Sequence, residues 1–413
     1  MFADRILLVH NHYRQPGGED RVFADELELL SRGGHEVMQF TADNASIGKS
    51  GGLALATDTI WNAGSHRDLL QLLEKEKPRV MHVHNTFPLL SPAVYYAARS
   101  RGTAVVQTLH NYRLLCPGAT LFRDGEPCEK CHGKSLPWPG IIHGCYRGSR
   151  AASAVVATML ATHRLLRTWT RTIDVFVALS KFSRNKFIEA GIPAEKVAVK
   201  PNSIHPDPGM GLGHGKYALF AGRLAPEKGV DVLLAAWSRL GRTMPLKIVG
   251  DGPMQAQVTE AALRTGGVEV LGRKSRDDVM ALMRDASVLV ISSRCYEASP
   301  VVLAEAYAVG LPVIASDIGA LSELVGHGRT GLLFRPGDAE DLGAKVEWFL
   351  AHPAEARQMR VEARAEFLGK YTAERNYSAL MEIYERAVRA SSARLEHPRE
   401  AKALTSTGAA TEF

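Results

Sequence analysis

The chain has 413 residues, 46% of them hydrophobic and 23% charged, which suits a soluble globular protein of two domains better than one ordinary core. No apolar run is long and uncharged enough to span a bilayer, and residues 1–5 lack the regions of a secretory signal, so the expected location is the cytosol. The formal charge is +6, unevenly placed: residues 1–206 hold 25 Lys and Arg against 18 Asp and Glu, and the remainder is nearly balanced. A basic first half favours an anionic partner such as a membrane surface, a phosphorylated lipid or a nucleic acid, while an ordinary solvated surface fits equally well.

In chain order, residues 5–11 read as a buried strand. Residues 19–32 follow as a helix with Val22, Phe23, Leu27 and Leu30 on one face. Strands are expected at 35–41, 79–84, 103–109 and 174–179, and helices at 67–77, 92–100 and 149–171. This alternation predicts a parallel sheet covered on both faces. It breaks at 111–150, a stretch rich in Cys, Gly, Pro and Trp. Residues 206–215, with four glycines and two prolines, read as an interdomain linker. The second half repeats the alternation, with strands at 217–221, 246–249, 268–271, 288–292, 312–315 and 331–334. Closing helices are expected near 353–368 and 373–388, and a polar, disordered tail from residue 391. The predicted fold is therefore α/β: two doubly wound, Rossmann-like domains facing across a cleft, with a Cys-rich insertion in the first. The boundaries are 1–206, with 111–150 inserted, then 214–372, a closing helix at 373–390 and a tail at 391–413.

Four features of the second half converge on a nucleotide diphosphate. Gly222-Arg223-Leu224-Ala225-Pro226-Glu227-Lys228-Gly229 follows a strand and opens a helix. Arg223 can reach a diphosphate as a fork and Lys228 as a point charge, although two solvated cations would leave the same trace. The turn Val249-Gly250-Asp251-Gly252-Pro253 and the segment Leu271-Gly272-Arg273 face the same sheet edge, and each alone is weak. The sharpest is Tyr296-Glu297-Ala298-Ser299-Pro300-Val301-Val302-Leu303-Ala304-Glu305. Proline suits the first turn of a helix. Glu297 then precedes the helix, and Glu305 sits about two turns inside it. Amides around Ser299, Val301 and Val302 are free to bind phosphate oxygens, and each carboxylate can accept from vicinal hydroxyls. A dipole-complementing acid plus an ordinary helical glutamate is the plainer reading.

In the first half, Gly17 and Gly18 precede a helix and permit close approach to a phosphate or another ligand; a simple flexible turn is the alternative. His110 follows the strand at 103–109 and would project into the cleft, where a histidine can bond a hydroxyl or move a proton. His82 and His84 share one face of their strand, which suits polar lining better than a metal. Cys116, Cys128, Cys131 and Cys145 fall in one window, two of them with knuckle spacing, so four thiolates complete a structural zinc site. An iron–sulfur cluster or unliganded thiols are the alternatives, and His132 or His143 can replace one thiol. Cys295, beside Glu297, reads as a packing residue. Residues 147–171 hold five arginines and no acid, which suits docking on an anionic membrane or a core-facing helix with a basic outer side.

The Glu297–Glu305 run resembles the paired-glutamate motif of retaining family-4 glycosyltransferases of the GT-B fold, and residues 222–229 resemble that family's donor-phosphate loop. The likeness continues through residues 311–317, Gly319, Glu323 and 330–333, and covers residues 5 to about 390 in order. It implies transfer of a sugar from a UDP- or GDP-sugar to an acceptor hydroxyl with retained configuration, as in polysaccharide biosynthesis by hexosyltransferases. Glu297 would hold the transferred sugar, Glu305 the ribose, and Arg223 and Lys228 the diphosphate. Gly17 and Gly18 would close over the phosphates, and His110 would be the active-site histidine. Many relatives have Gly-Phe-Gly where this chain has Ala298-Ser299-Pro300, which removes one backbone donor. No Asp-x-Asp pair is present, so no catalytic metal is expected. The expected acceptor is a glycan or lipid-linked glycan, with peripheral membrane association and no nucleic acid. A nucleotide-sugar 2-epimerase of the same architecture and a zinc-containing nucleic-acid-binding protein are the competing readings.

Overall fold

A computed structural model of the chain describes residues 5–15, 17–48 and 52–396. The first half opens with β1 (Arg5–His12), α1 (Gly18–Arg32), β2 (Glu36–Asp43), α2 (Gly52–Ile60) and α3 (Ala63–Glu76). β3 (Val80–Val83), α4 (Ala93–Ser100) and β4 (Ala104–Leu109) follow. An irregular excursion then carries the hairpin β5 (Phe122–Arg123) and β6 (Glu126–Pro127) and the short α5 (Trp138–Ile142). α6 (Arg150–Leu165), α7 (Thr168–Thr172), β7 (Val175–Ala178), α8 (Lys181–Glu189) and β8 (Val197–Val199) complete this half. Its six strands are parallel, in the order β2-β1-β3-β4-β7-β8.

The second half runs β9 (Ala218–Ala221), α9 (Val230–Leu240), β10 (Leu246–Val249), α10 (Gln255–Arg264), β11 (Val268–Gly272) and α11 (Arg276–Asp285). β12 (Val288–Ile291), α12 (Val301–Ala308), β13 (Val313–Ser316), α13 (Ala320–Leu324) and β14 (Gly331–Phe334) follow. Three helices close the chain: α14 (Ala339–Ala351), α15 (Pro353–Lys370) and α16 (Ala373–Glu396). This sheet is also parallel, in the order β11-β10-β9-β12-β13-β14. Among the described residues no helix is long and apolar enough to cross a membrane.

Each sheet is buried on both faces, and the two-residue period of a strand sorts its side chains. Leu7, Val9, Met81, Val83 and Val105 join one core cluster, and Ile6, Leu8, Val80, Ala104 and Val106 the other. α16 belongs to the second of these: Leu380, Ile383, Tyr384 and Ala387 pack on the first sheet. The chain thus returns from the second domain to finish the core of the first. Strand order reverses between β1 and β3 and between β9 and β12. Such switch points open crevices at the carboxyl ends of strands.

Two expectations change, and the linker gains detail. The helix expected over residues 149–171 is two helices, because Arg167 adopts a left-handed conformation (φ 54°). The buried Thr168 hydroxyl, bonded to His163 and Tyr96, locks the break. Residues 391–396, expected to be tail, are helical: α16 continues to Glu396, with Ser391 bonded to Gly102 O and Arg394 to Asp174. The remainder of that tail lies outside the described residues. The 206–215 linker is not a free spacer, since Gly211, Gly213 and Gly215 donate to Val309, Arg284 and Asp285 of the second domain.

Candidate functional site

The crevice of the second domain lies between the loops after β9 and β12. The β9 loop forms a short turn, Pro226–Lys228, and passes through Gly229 (φ 63°) into α9. A side chain at Gly229 would collide with Ser292 O, so this glycine allows the two loops to touch. Their contact places Lys228 Nζ 2.5 Å from Glu297 Oε1, with Ser293 Oγ donating to the same oxygen at 2.6 Å. Burial alone would push the Glu297 carboxyl up, but Lys228 and Ser293 hold it below the usual carboxylate range. Burial opposes the charge on Lys228, and Glu297 more than restores it. Burial pushes the Cys295 thiol up, which keeps it a packing group rather than a nucleophile.

α12 starts four residues after Glu297, so Glu305 lies about one turn inside it rather than the two expected, and no side chain caps its first turn. Ser299, Val301 and Val302 stand at this start, where backbone amides and the helix dipole attract anions. Arg223 is exposed and makes no ion pair among the described residues, so it is free to take a phosphate. Gly252 (φ 156°) lies against Leu224 O, and Arg273 reaches toward Asp251 at 4.0 Å, both exposed. The Glu305 side chain, within α12, makes no hydrogen bond among the described residues. Burial raises its carboxyl, offset in part by Arg21 of α1.

The first domain meets this face directly. A Cβ on Gly18 would lie 3.8 Å from Val301, so the paired glycines sit over the start of α12. Asp20 fixes their loop: Oδ2 accepts from Gly17 N at 2.8 Å, and Oδ1 accepts from Tyr13 N and faces His10 Nε2 at 3.0 Å. Glu19 accepts from Tyr13 Oη and from Asn111 Nδ2, tying this loop to the end of β4. Across the cleft Tyr112 Oη donates to Glu297 O, Asn202 Nδ2 to Ser299 O, and the Lys181 and Phe182 amides to Glu323. His110 stands at the end of β4 beside a pocket lined by Asn85, Thr86, Phe87, Gln107, Asn111 and Arg113. Burial, then the neighbouring His84, keeps its imidazole pKa well below the usual histidine value. His82 and His84 do line this end of the sheet, both facing the buried Glu26.

The sequence brought Glu297, Glu305, Lys228, Gly17, Gly18 and His110 into view, and the fold gathers them along one cleft. It did not bring out Ser293, Asp20, Glu19, Tyr13 or Asn111. Asp20 carries a readable signal, an acid three residues after the first glycine, where a capping-box side chain reaches back. The cysteines are free thiols, Cys116 and Cys131 buried. They face one region, since Gly118 would place a Cβ 3.7 Å from both Cys116 Sγ and Cys145 Cβ. Among the described residues, however, no three of their sulfurs lie within 4.8 Å of one another. His10, His12 and Asp20 do meet that spacing. The Asp20 carboxylate is already satisfied by two backbone amides and the imidazoles, which makes it a loop anchor.

Two family models match the chain: a glycosyl transferase 4-like domain over residues 17–203 and glycosyl transferases group 1 over residues 212–366. An uncharacterised glycosyltransferase of Methanocaldococcus jannaschii is 31% identical over 218 residues, 52% of this chain and 60% of the relative. The amylovoran biosynthesis glycosyltransferase of Erwinia amylovora is 29% identical over 230 residues, 52% of this chain and 56% of the relative. The chain spans about half the length of the curated relatives it matches. Among solved structures, an Anabaena protein in complex with UDP superposes with a TM-score of 0.65 at 19% identity, covering 91% of this chain and 98% of its own. Sucrose-phosphate synthase of Thermosynechococcus elongatus gives 0.69 at 18% identity, covering 94% of this chain and all of its own. These two show the likeness of fold.

Proposed function

The chain belongs to the glycosyltransferases of the GT-B fold, with a 4-like first domain and a group 1 second domain, and from this we propose a nucleotide-sugar-dependent sugar transfer to an acceptor hydroxyl, with retained configuration and no catalytic metal. The observation that carries the reading is the Lys228–Glu297 pair beside the uncapped start of α12, covered by Gly18 from the opposite domain. A donor diphosphate draws Lys228 and the exposed Arg223 to its oxygens, and Glu297 turns to the hydroxyls of the transferred sugar. Glu305 accepts from the ribose. The bond between the anomeric carbon and the phosphate oxygen breaks, the acceptor oxygen bonds that carbon from the same face, and the acceptor proton passes to the departing phosphate. Arg223, Lys228 and the helix start stabilise the negative charge that develops there.

UDP in the Anabaena neighbour supports a nucleotide donor, and amylovoran biosynthesis in the Erwinia relative supports a glycan acceptor. Peripheral docking on an anionic membrane fits the exposed Trp138, Ile142, Leu165 and Leu166 interspersed with Arg147, Arg150 and Arg167. The test is a panel of UDP- and GDP-sugars read by thermal shift and by nucleotide release. At least one is expected to stabilise the protein and to release its nucleotide with an added glycan acceptor. A folded protein stabilised by none of them would overturn the reading.

The cysteine loop is proposed to hold structural zinc through Cys116, Cys128, Cys131 and Cys145. Burial, then the other three thiols, pushes Cys131 up to about 11, and a cation is what allows four thiolates to share this space. The sulfurs must draw closer to form a tetrahedron. Elemental analysis is expected to find one zinc per chain, and chelation to lower the melting temperature. Metal-free, fully stable protein would end the idea.

A further inference from the structure

Beneath His110 lies a chain of buried ionisable groups with no place in donor binding. Glu26 of α1 is 2% exposed, and its Oε1 accepts from Lys200 Nζ at 2.6 Å. Lys200, 1% exposed, also donates to Asn376 of α16. The other oxygen, Oε2, lies 3.2 Å from His84 Nε2 and 3.4 Å from His82 Nδ1. Neither contact is aligned well enough to count as a hydrogen bond, so the attraction is largely that of charge for the N–H dipole. His84 Nδ1 is 3.0 Å from His110 Nε2, and the two rings stack with centroids 5.2 Å apart. His82 is occupied separately by Tyr384 Oη and Thr108 Oγ1, and His10 faces Asp20.

The order of donors along this chain follows from charge. Lys200 already offsets the charge of Glu26, and a further cation among these buried rings would carry a large desolvation cost, which favours one shared proton between the His84 and His110 rings. A carboxylate only accepts, which places the His84 proton on Nε2 and leaves Nδ1 as a lone pair. His110 must then donate from Nε2, and its Nδ1 becomes its free, proton-accepting nitrogen.

We propose that Glu26 and His84 are positioning residues that hold His110 as the neutral Nε2–H tautomer, so that Nδ1 serves the cleft as an acceptor for a hydroxyl of the sugar substrates. The choice of ligand rests on the sugar-transfer reading; the tautomer does not. A fixed acceptor selects a hydroxyl donor at that point, and a ring free to exchange tautomers would hold it only part of the time.

The experiment is imidazole nitrogen NMR on protein labelled with ¹⁵N-histidine, with His110→Gln to assign its signals, together with transfer kinetics. In the wild type, His110 is expected as the Nε2–H tautomer. His84→Phe keeps the stacked ring and removes both nitrogens. The Glu26→Gln, Lys200→Met pair removes both buried charges together, and so decides the matter if His84→Phe does not fold. Either variant is expected to give mixed tautomers at His110 and to lower kcat about two- to tenfold, in proportion to the Nε2–H population that is lost, with KM for the donor unchanged. A wild-type Nδ1–H tautomer, or an unchanged His110 spectrum in a folded variant, overturns the proposal. Mixed tautomers with unchanged kcat overturn the positioning role. Absence of any transfer by wild type counts against the sugar-transfer reading alone, because the spectrum still decides the tautomer.

Discussion

Glu297 is a partly buried acid whose charge is maintained by one cation and one hydroxyl, and that arrangement suits it to a changing partner. Lys228 satisfies the carboxylate without a ligand, and under the proposed function a donor diphosphate would draw it away. Glu297→Gln keeps the shape and one acceptor oxygen but removes the charge that a sugar hydroxyl would meet. Transfer is expected to fall roughly 100-fold. Affinity for the bare nucleoside diphosphate, measured by calorimetry, is expected to stay within about threefold. A parallel loss of both would place Glu297 on the nucleotide instead. The glutamate pair was readable because its spacing straddles a helix start marked by Pro300. Its lysine partner, 69 residues upstream, was read only as a phosphate ligand. Their pairing depends on β9 and β12 lying side by side, which is a property of sheet order and leaves no local trace.

The loops of the second domain are held at close quarters by glycines. A Cβ on Gly250 (φ 137°) would stand 1.9 Å from Gly222 O, so the turns after β9 and β10 touch through bare backbone. Gly250→Ala is expected to cost on the order of 2–4 kcal/mol in urea unfolding, from backbone strain and steric overlap together. Gly343→Ala, within α14 and with nothing inside 4 Å of the added methyl, is expected to be neutral or to stabilise by up to about 1 kcal/mol. Equal destabilisation by both would refute the close-approach argument. The strands of this domain were legible because strands buried on both faces read as short unbroken apolar runs, as Val288–Ile291 does. α8 was not, because only Ser183 and Phe187 of its nine residues are buried and no apolar stripe results. β8 is three residues long with Val199 exposed, below what a pattern can show. The α6–α7 break was hidden because the helical period carries through it, while the cause, Thr168 bonding across to Tyr96, is tertiary.

The two domains are joined twice, once by the linker and once by α16, which carries Asn376 and Tyr384 into the first domain beside Lys200 and His82. That second joint is a buried polar seam in an otherwise apolar core, and its protonation sets how the whole molecule responds to acid. Burial lowers His82 to about 3, and His10, His110 and His163 are likewise lowered by burial. Burial would raise Glu26, but Lys200, His82 and His84 hold it well below the usual carboxylate range. The signs agree. A histidine neutral in the fold but near 6.5 when unfolded contributes stability above pH 6.5, lost as pH falls toward its folded value, because the unfolded chain binds the extra proton. Glu26 contributes above its unfolded value near 4.5, and that part is lost as pH falls further. Stability should therefore begin to fall near pH 6.5, well before carboxylates titrate. The melting temperature is expected to drop by several degrees between pH 7 and pH 5. The drop should be smaller in His82→Asn, which keeps a polar group beside Tyr384 but has nothing to protonate. A flat profile down to pH 5, or an unchanged slope in that variant, would show that the seam does not couple protons to the fold.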